Sequence, residues 1–220
     1  MTKHDKMWHN RLHKYIKEAC VMNRAELKAA AKEQIKGNIG MLFLCGLIVI
    51  AICLACSFIP VASILVTPPL SVGICMVYLG LTEGKKAEVG TMFQGFQVFG
   101  KSIWLTILVA VFTFLWTLLF YIPGIIKSYS YSMAFYVLAD NPEMTAREAL
   151  RESKEIMHGH KWELFVLHLS FILWHILGVF TLGFAYIYVG PYMSATVANF
   201  YQKIKRQPQV VEAPVAEEMI

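Results

Sequence analysis

Charged residues are scarce in this 220-residue chain. They make up 16% of the sequence, whereas hydrophobic residues make up 57% and the mean hydropathy is +0.52. This balance is far from that of an ordinary soluble domain. Several apolar runs reach the roughly 20 residues that a helix needs to cross the hydrocarbon core of a bilayer. Because backbone groups in lipid must bond to one another, such continuous runs predict helices, and we expect an all-α, polytopic membrane protein.

Signatures of covalent chemistry and of cofactors are also missing. The chain has five cysteines, four of them within apolar runs, which does not indicate a disulfide framework or a zinc site. Cys53 and Cys56 have the spacing of a redox motif, but their apolar surroundings favour a role in core packing. The sequence contains no phosphate-binding glycine loop, no HExxH motif and no nucleophile elbow. We therefore expect no cofactor and no metal, and enzymatic activity is disfavoured.

Six apolar segments are predicted to be spans. They cover residues 39–59, 61–81, 102–122, 123–139, 162–182 and 184–202. With the N-terminus inside, 19 of the 20 Lys and Arg residues fall in cytoplasmic regions, and Lys127 is the exception. This positive-inside bias predicts a protein of the cytoplasmic membrane with both termini in the cytoplasm. We expect a basic extension over 1–22, one membrane domain over 23–206 and a disordered tail over 207–220.

The sequence contains an internal repeat. The stretch NRAELKAAAKEQIKGNIGMLF from Asn23 aligns without a gap with TAREALRESKEIMHGHKWELF from Thr145, at an offset of 122 residues. Both stretches begin with a capping residue followed three residues later by a glutamate. A shorter third copy begins with Thr91 and Gln94 and ends at Gly100. The pattern predicts three hairpins, each preceded by an amphipathic helix in the headgroup layer and each with a proline on its return span.

Lys127 lies within the predicted fourth span, where a charged side chain is costly unless it pairs, faces water or reaches the interface. Pro123 near the outer end puts Lys127 about one turn below the outer surface, within reach of the headgroups. Lys127 is therefore interpreted as an outer-interface anchor flanked by Tyr121, Tyr129 and Tyr131. The alternative is a binding role, in which Lys127 lines a cavity and contacts an anionic headgroup or solute.

Asp140, His160 and Lys161 lie at the predicted inner surface. Asp140 ends the fourth span and is interpreted as a solvated terminus or cap, with a proton or cation site as the less favoured alternative. His158 and His160 resemble part of a metal site, but no third ligand is near in sequence. We expect His160 and Lys161 to be solvated or to bind anionic lipid. Glu163 is predicted to pair with Lys161 or with a neighbouring lysine.

His160, His168 and His175 follow one another at spacings of eight and seven residues, which puts them on one side of the predicted fifth helix. Such a column could relay protons. Neutral hydrogen bonds across helices are the simpler interpretation.

Five stretches carry a family resemblance. They are ELKAAAKEQIKGN, IPGIIKSYSYSMAFYVLADNP, AREALRESKEIMHGHKWELFVLHLSFILW, TLGF, and GPY followed by FY, and together they extend from about residue 22 to residue 202. In these stretches the chain resembles the domain-of-unknown-function 975 family of bacterial membrane proteins. It is also similar, more distantly, to the membrane domain attached to some glycerophosphodiester phosphodiesterases. The resemblance implies a polytopic helical membrane protein and brings no established activity.

We expect a membrane-embedded protein that takes part in transport or binds a lipid or a small anionic solute. A non-transporting scaffold or accessory subunit, with a membrane protein as its partner, is the first alternative. An intramembrane enzyme that uses the histidines is the least favoured. The expected partners are the bilayer and anionic lipid, and no nucleic acid is expected.

Overall fold

The computed structural model describes residues 24–57, 60–119, 121–181 and 185–216. These residues form helices and no strands, so the predicted all-α fold is confirmed. The predicted extension over 1–22 lies outside the described residues. The helices are α1 (Arg24–Ile35), α2 (Ile39–Ser57), α3 (Pro60–Thr82), α4 (Val89–Gln94), a 3-10 turn (Gly95–Val98), α5 (Phe99–Leu119), α6 (Tyr121–Tyr131), α7 (Ala134–Asp140), α8 (Ala146–Ile156), α9 (Lys161–Leu169), α10 (Ile172–Phe180) and α11 (Tyr186–Ala216).

Among the described residues, three helical stretches are long and apolar enough to cross a membrane: α2, α3, and the run from α4 through α5. In α3, 56% of the apolar stretch is buried, against 11% in α2 and 17% in the run from α4 to α5. α3 is therefore the central helix, and it contacts α2, α4, α5, α7 and α11. Ile50, Leu54 and Cys53 are exposed on α2, which suits lipid contact. The core-packing role predicted for Cys53 is thus wrong.

Three short helices, α1, α4 and α8, each precede one hairpin in the chain and pack on another. α4 packs on α3 near Gly73. α8 packs on α6 and α7, and the Ser153 hydroxyl donates a 2.9 Å hydrogen bond to the carbonyl of Ser130. α1 packs on α11, where the side-chain amides of Gln34 and Asn199 exchange hydrogen bonds of 3.0 and 2.7 Å. These contacts join hairpins α2–α3, α5–α7 and α9–α11 in a ring.

Two glycines end short helices at aligned positions of the predicted repeat. Gly37 follows α1 and Gly159 follows α8, with φ angles of +84° and +85°. Glycine adopts this left-handed region without the steric penalty that other residues meet. At the start of α8, the predicted capping box is confirmed, because Thr145 and Glu148 each bond the backbone N–H of the other. Its predicted counterpart at Asn23 lies outside the described residues.

The predicted start of the third copy is wrong. α4 begins at Val89 after an extended Glu88, so Thr91 lies inside the helix rather than at its cap. Gly100 does not end a helix either, because it is the second residue of α5. The 3-10 turn joins α4 to α5 without a helix stop, which leaves this short helix only six residues long.

The predicted fourth and fifth spans are each divided into two helices. A turn at Ser132 separates α6 from α7, and a turn at Ser170 separates α9 from α10. Both serine hydroxyls donate to the carbonyl three residues earlier, a local bond that competes with continuation of the helix. The expectation of one continuous helix over 123–139 and another over 162–182 is therefore wrong.

α11 is helical as far as Ala216. It extends into the segment 207–220 that was expected to be disordered, and residues 217–220 lie outside the described residues. The division of the chain into domains stays a prediction.

Candidate functional site

The α5–α6 hairpin positions Lys127. The two helices are close at Gly124, where an added Cβ would lie 2.4 Å from the hydroxyl oxygen of Thr117. One turn further along α6, the ammonium nitrogen of Lys127 lies 4.6 Å from the ring centroid of Trp116. A cation over an indole face is stabilised by about 0.5–1 kcal/mol at exposed sites and more where water is excluded. The half-buried Lys127 is thereby held against α5.

Two further helices meet α6 beside Lys127. The buried hydrogen bond from Ser153 to Ser130 fixes α8, and the exposed Lys154 is the next residue of that helix. α9 is fixed by ring contacts, since the Tyr129 ring lies 6.0 Å from that of Phe165 and 5.9 Å from that of His168. Hence α6, α8 and α9 converge.

This convergence gathers three positive charges. Lys161 is the first residue of α9; burial lowers the pKa of its ammonium, and the charges of Lys127 and Lys154 lower it further. In the described part of the chain, none of these three lysines lies within 4.0 Å of a carboxylate. We call Lys127, Lys154 and Lys161 the lysine cluster. Its chemistry is that of a binding site for an anion.

The lysine cluster joins residues that the sequence placed at opposite membrane surfaces, since Lys127 was assigned near the outer end of a span and Lys161 at the inner end. Tyr129 borders the cluster through its packing on α9. Tyr131 is buried, 6.3 Å from the ring of Phe112, and stabilises the α5–α6 contact. The roles of anchor and of binding residue for these side chains stay predictions.

The histidines have separate partners. His160 pairs with Glu163 through a 2.8 Å contact, so Glu163 is engaged there rather than with Lys161. His168 packs on Tyr129, and His175 lies 3.2 Å from the Tyr186 hydroxyl. The turn at Ser170 divides the predicted continuous column between His168 and His175. Among the described residues, no group of three His, Cys, Asp or Glu side chains could hold a metal ion.

Asp140 joins α7 to α11. Its carboxylate accepts a 2.9 Å hydrogen bond from the Tyr201 hydroxyl and pairs with the ammonium of Lys205. The Tyr201 ring stacks on Tyr136 at 5.7 Å. Since only 17% of the Asp140 side chain is exposed, it is not the solvated terminus that was expected. Its main contribution is to hold the two helices together.

A groove of about 300 Å³ lies between α3, α5 and α7. Its lining includes Ser63, Thr67, Pro68, Ser71, Thr106 and Phe135. Three of its hydroxyls, on Thr67, Ser71 and Thr106, each donate to the carbonyl four residues earlier. None of the candidate residues predicted from the sequence lines this groove.

Sequence reasoning missed four residues of these sites. Trp116 and Lys154 complete the lysine cluster, and Tyr201 and Lys205 complete the contact with Asp140. Lys154 carried one signal, because the repeat aligns it with Lys32. Trp116 lies on the preceding helix, 11 residues before Lys127, and Tyr201 and Lys205 lie 61 and 65 residues after Asp140, so no helical spacing rule connects these pairs.

Comparison with known proteins gives one match. The model of the family described as "Protein of unknown function (DUF975)" matches residues 118–208. No curated protein and no solved structure matches the chain. The resemblance before residue 118 and the similarity to the membrane domain of glycerophosphodiester phosphodiesterases therefore stay predictions. Over residues 118–208, which include every candidate site residue predicted from the sequence, the chain is similar to the DUF975 family of proteins of unknown function.

Proposed function

We propose that this protein is a multi-pass protein of the cytoplasmic membrane, with six spans in three hairpin repeats and both termini in the cytoplasm. Three stretches of sufficient length and apolarity support this, as does the recurrence of a short helix before each hairpin. The divided fourth and fifth spans are compatible with it, because serine side chains and neighbouring helices can satisfy freed backbone groups in a membrane. The distribution of Lys and Arg favours the orientation.

Reporter fusions test this topology. A reporter that is active only outside the cell should be active when fused after residue 58 or 120 and inactive after residue 86 or 143. A reporter that fluoresces only in the cytoplasm should give the opposite result and serves as the control. External activity after residue 143 would contradict the six-span arrangement.

We further propose that the protein binds anionic lipid headgroups at the lysine cluster. The observation that carries this proposal is the convergence of α6, α8 and α9, which brings Lys127 and Lys154 close enough to Lys161 for their charges to lower its pKa. Among the described residues, no carboxylate lies within 4.0 Å of these three ammonium groups. In the proposed topology, Lys154 and Lys161 flank the cytoplasmic turn at Gly159. Lys154 and Lys161 then face the inner leaflet, where anionic lipid attracts each basic residue near the surface by about 1 kcal/mol, and Lys127 approaches them from within the fourth span.

Removal of the three charges tests the binding proposal. Lys127→Met, Lys154→Gln and Lys161→Gln combined should weaken binding of phosphatidylglycerol by about 100-fold, since three contributions of about 1 kcal/mol are lost. Native mass spectrometry of the protein in neutral detergent measures the bound lipid. Lys32→Gln is the matched control, because Lys32 on α1 is aligned by the repeat with Lys154 on α8. Equal binding by the triple variant and the wild type would refute the proposal.

Transport of the bound lipid or solute stays a prediction. A scaffold role would instead require a protein partner. If purification from native membranes recovers a stoichiometric membrane protein and the triple variant binds lipid normally, the scaffold is the better interpretation.

A further inference from the structure

Two acidic residues close to the lysine cluster along the chain, Glu155 and Glu163, are engaged with other partners. Glu155 is the neighbour of Lys154 and lies 3.7 Å from the guanidinium of Arg151. Glu163 follows Lys161 by two residues and pairs with His160. The positive charge of the cluster is therefore not compensated by these carboxylates. A ligand with more than a single negative charge would compensate it better than a ligand with one.

We propose that the lysine cluster binds a phosphomonoester, which is a phosphate group that ends a lipid headgroup or a small molecule. This inference rests on the proposed function and specifies its ligand. A phosphomonoester carries about 1.5 to 2 negative charges near neutral pH and has three terminal oxygens. A phosphodiester such as that of phosphatidylglycerol carries one charge and two such oxygens. Three ammonium groups from three helices therefore match the terminal phosphate better, both in charge and in the number of oxygens that can accept hydrogen bonds.

The surroundings of the cluster favour a phosphomonoester attached to an apolar body. Trp162 follows Lys161 and is 71% exposed, and its ring stacks on Phe165 at 5.1 Å. Phe165 in turn contacts Tyr129. This aromatic surface shares α9 with Lys161 and α6 with Lys127, and aromatic side chains are common at the level of lipid headgroups. A lipid that ends in a phosphate can place its headgroup on the lysines and its glycerol and chains against these rings.

Bilayer nanodiscs test the ligand class, with the two anionic bilayers matched in surface charge and the phosphatidylcholine bilayer as the neutral control. The protein is reconstituted with phosphatidic acid, with phosphatidylglycerol or with phosphatidylcholine alone, and the lipids retained after exchange into neutral detergent are counted by mass spectrometry. Phosphatidic acid should be retained about tenfold more tightly than phosphatidylglycerol, which corresponds to one additional charge-assisted hydrogen bond. Equal retention of the two anionic lipids would overturn this inference and leave the proposed function intact. Equal retention of all three lipids would overturn both.

Variants of Lys127 test whether the preference comes from the cluster. Lys127→Met should reduce the retention of phosphatidic acid to the level of phosphatidylglycerol, whereas Lys127→Arg should keep the preference because it keeps the charge. Lys32→Gln should change neither value. The helical content and the unfolding curve of each variant show that it is folded. A preference that survives Lys127→Met would overturn the assignment.

Competition with soluble anions identifies the source of the phosphate. Glycerol 3-phosphate and inorganic phosphate are added to the nanodisc sample that contains phosphatidic acid. Retention that persists at a large excess of both supports a lipid ligand. Displacement by either one at a concentration similar to that of the lipid supports a soluble phosphomonoester or phosphate and overturns the lipid source.

Discussion

Gly73→Ala should be strongly destabilising. At Gly73 the backbone of α3 is in direct contact with the backbone of the segment from α4 to the 3-10 turn. A Cβ on Gly73 would lie 1.7 Å from the carbonyl oxygen of Met92. A Cβ on Gly95, on the other side of the same contact, would lie 2.1 Å from the carbonyl oxygen of Pro69. Neither clash can be relieved by rotation of a side chain. The segment from α4 to the 3-10 turn must move away from α3.

The magnitude follows from the balance of two effects. Overpacking a well-packed core costs about 1–3 kcal/mol, and the upper end applies where backbone must move. Alanine in place of glycine in a helix gains about 0.5–1 kcal/mol. We therefore expect Gly73→Ala to lower the free energy of unfolding by about 2 kcal/mol. Gly73→Ala and Gly95→Ala combined should cost less than the sum of the two, because both open one contact.

Unfolding of the purified protein in mixed micelles with increasing SDS, followed by circular dichroism, measures this loss. Gly40→Ala and Gly100→Ala are matched controls, because nothing lies within 4 Å of an added Cβ at either helical position. Both controls should be neutral or stabilising by up to about 1 kcal/mol. If Gly73→Ala is as stable as Gly40→Ala, the close approach of α4 to α3 is refuted.

Three further substitutions test other contacts by the same unfolding measurement. Gly159→Ala should lower the free energy of unfolding by about 1–2 kcal/mol because its φ is +85°, and Gly159→Asn should lower it less. Lys205→Met should cost about 1–3 kcal/mol because the mostly buried Asp140 carboxylate loses its cation. Thr145→Ala should weaken the pH dependence of stability in part, because the bond from the Thr145 hydroxyl to Glu148 is lost whereas the backbone N–H of residue 145 still donates to that carboxylate. Hydrogen bonds from Thr145 lower the pKa of Glu148, so the stabilisation is present at neutral pH and lost as the pH falls through that lowered pKa.

Each of these substitutions has a control in the same chain. Gly46→Ala lies in a helix with ordinary φ and open space, and it should not lose stability. Lys203→Met removes a 3.8 Å contact with an exposed carboxylate, and it should cost less than the change at Lys205. Thr91→Ala should leave the pH dependence unchanged, because Thr91 lies inside α4 and caps no helix. If a control has a larger effect than the substitution with which it is paired, the contact tested by that pair is contradicted.

The sequence predicted the features that depend on local chemistry. The apolar runs identified α2, α3 and α5, and the capping residues identified the start of α8 at Thr145. The turns at Ser132 and Ser170 were missed because a hydrophobic run reports burial or lipid contact and is insensitive to a local break. At both turns a serine hydroxyl bonds a carbonyl three residues earlier, but Ser102 does the same inside the unbroken α5, so this bond does not identify a break from the sequence.

The candidate site depended on contacts that no spacing reveals. Lys127 and Lys161 each stood out as basic residues next to apolar segments, but a linear topology placed them at opposite surfaces. Their proximity arises because Ser153 bonds Ser130 and because Tyr129 packs against α9. Asp140 was expected in water because the sequence gives no sign of its partners on α11, which are more than 60 residues away.

The packing of α1 on α11 has a consequence for biosynthesis. α1 leaves the ribosome before any of the other described helices, yet the surface that covers Leu27, Ala31 and Ile35 is completed only when α11 has been made. During translation the apolar face of α1 must rest on lipid or on a chaperone while the hairpins are inserted. The ring therefore closes only after α11 has been made, when the side-chain amides of Gln34 and Asn199 can exchange their hydrogen bonds.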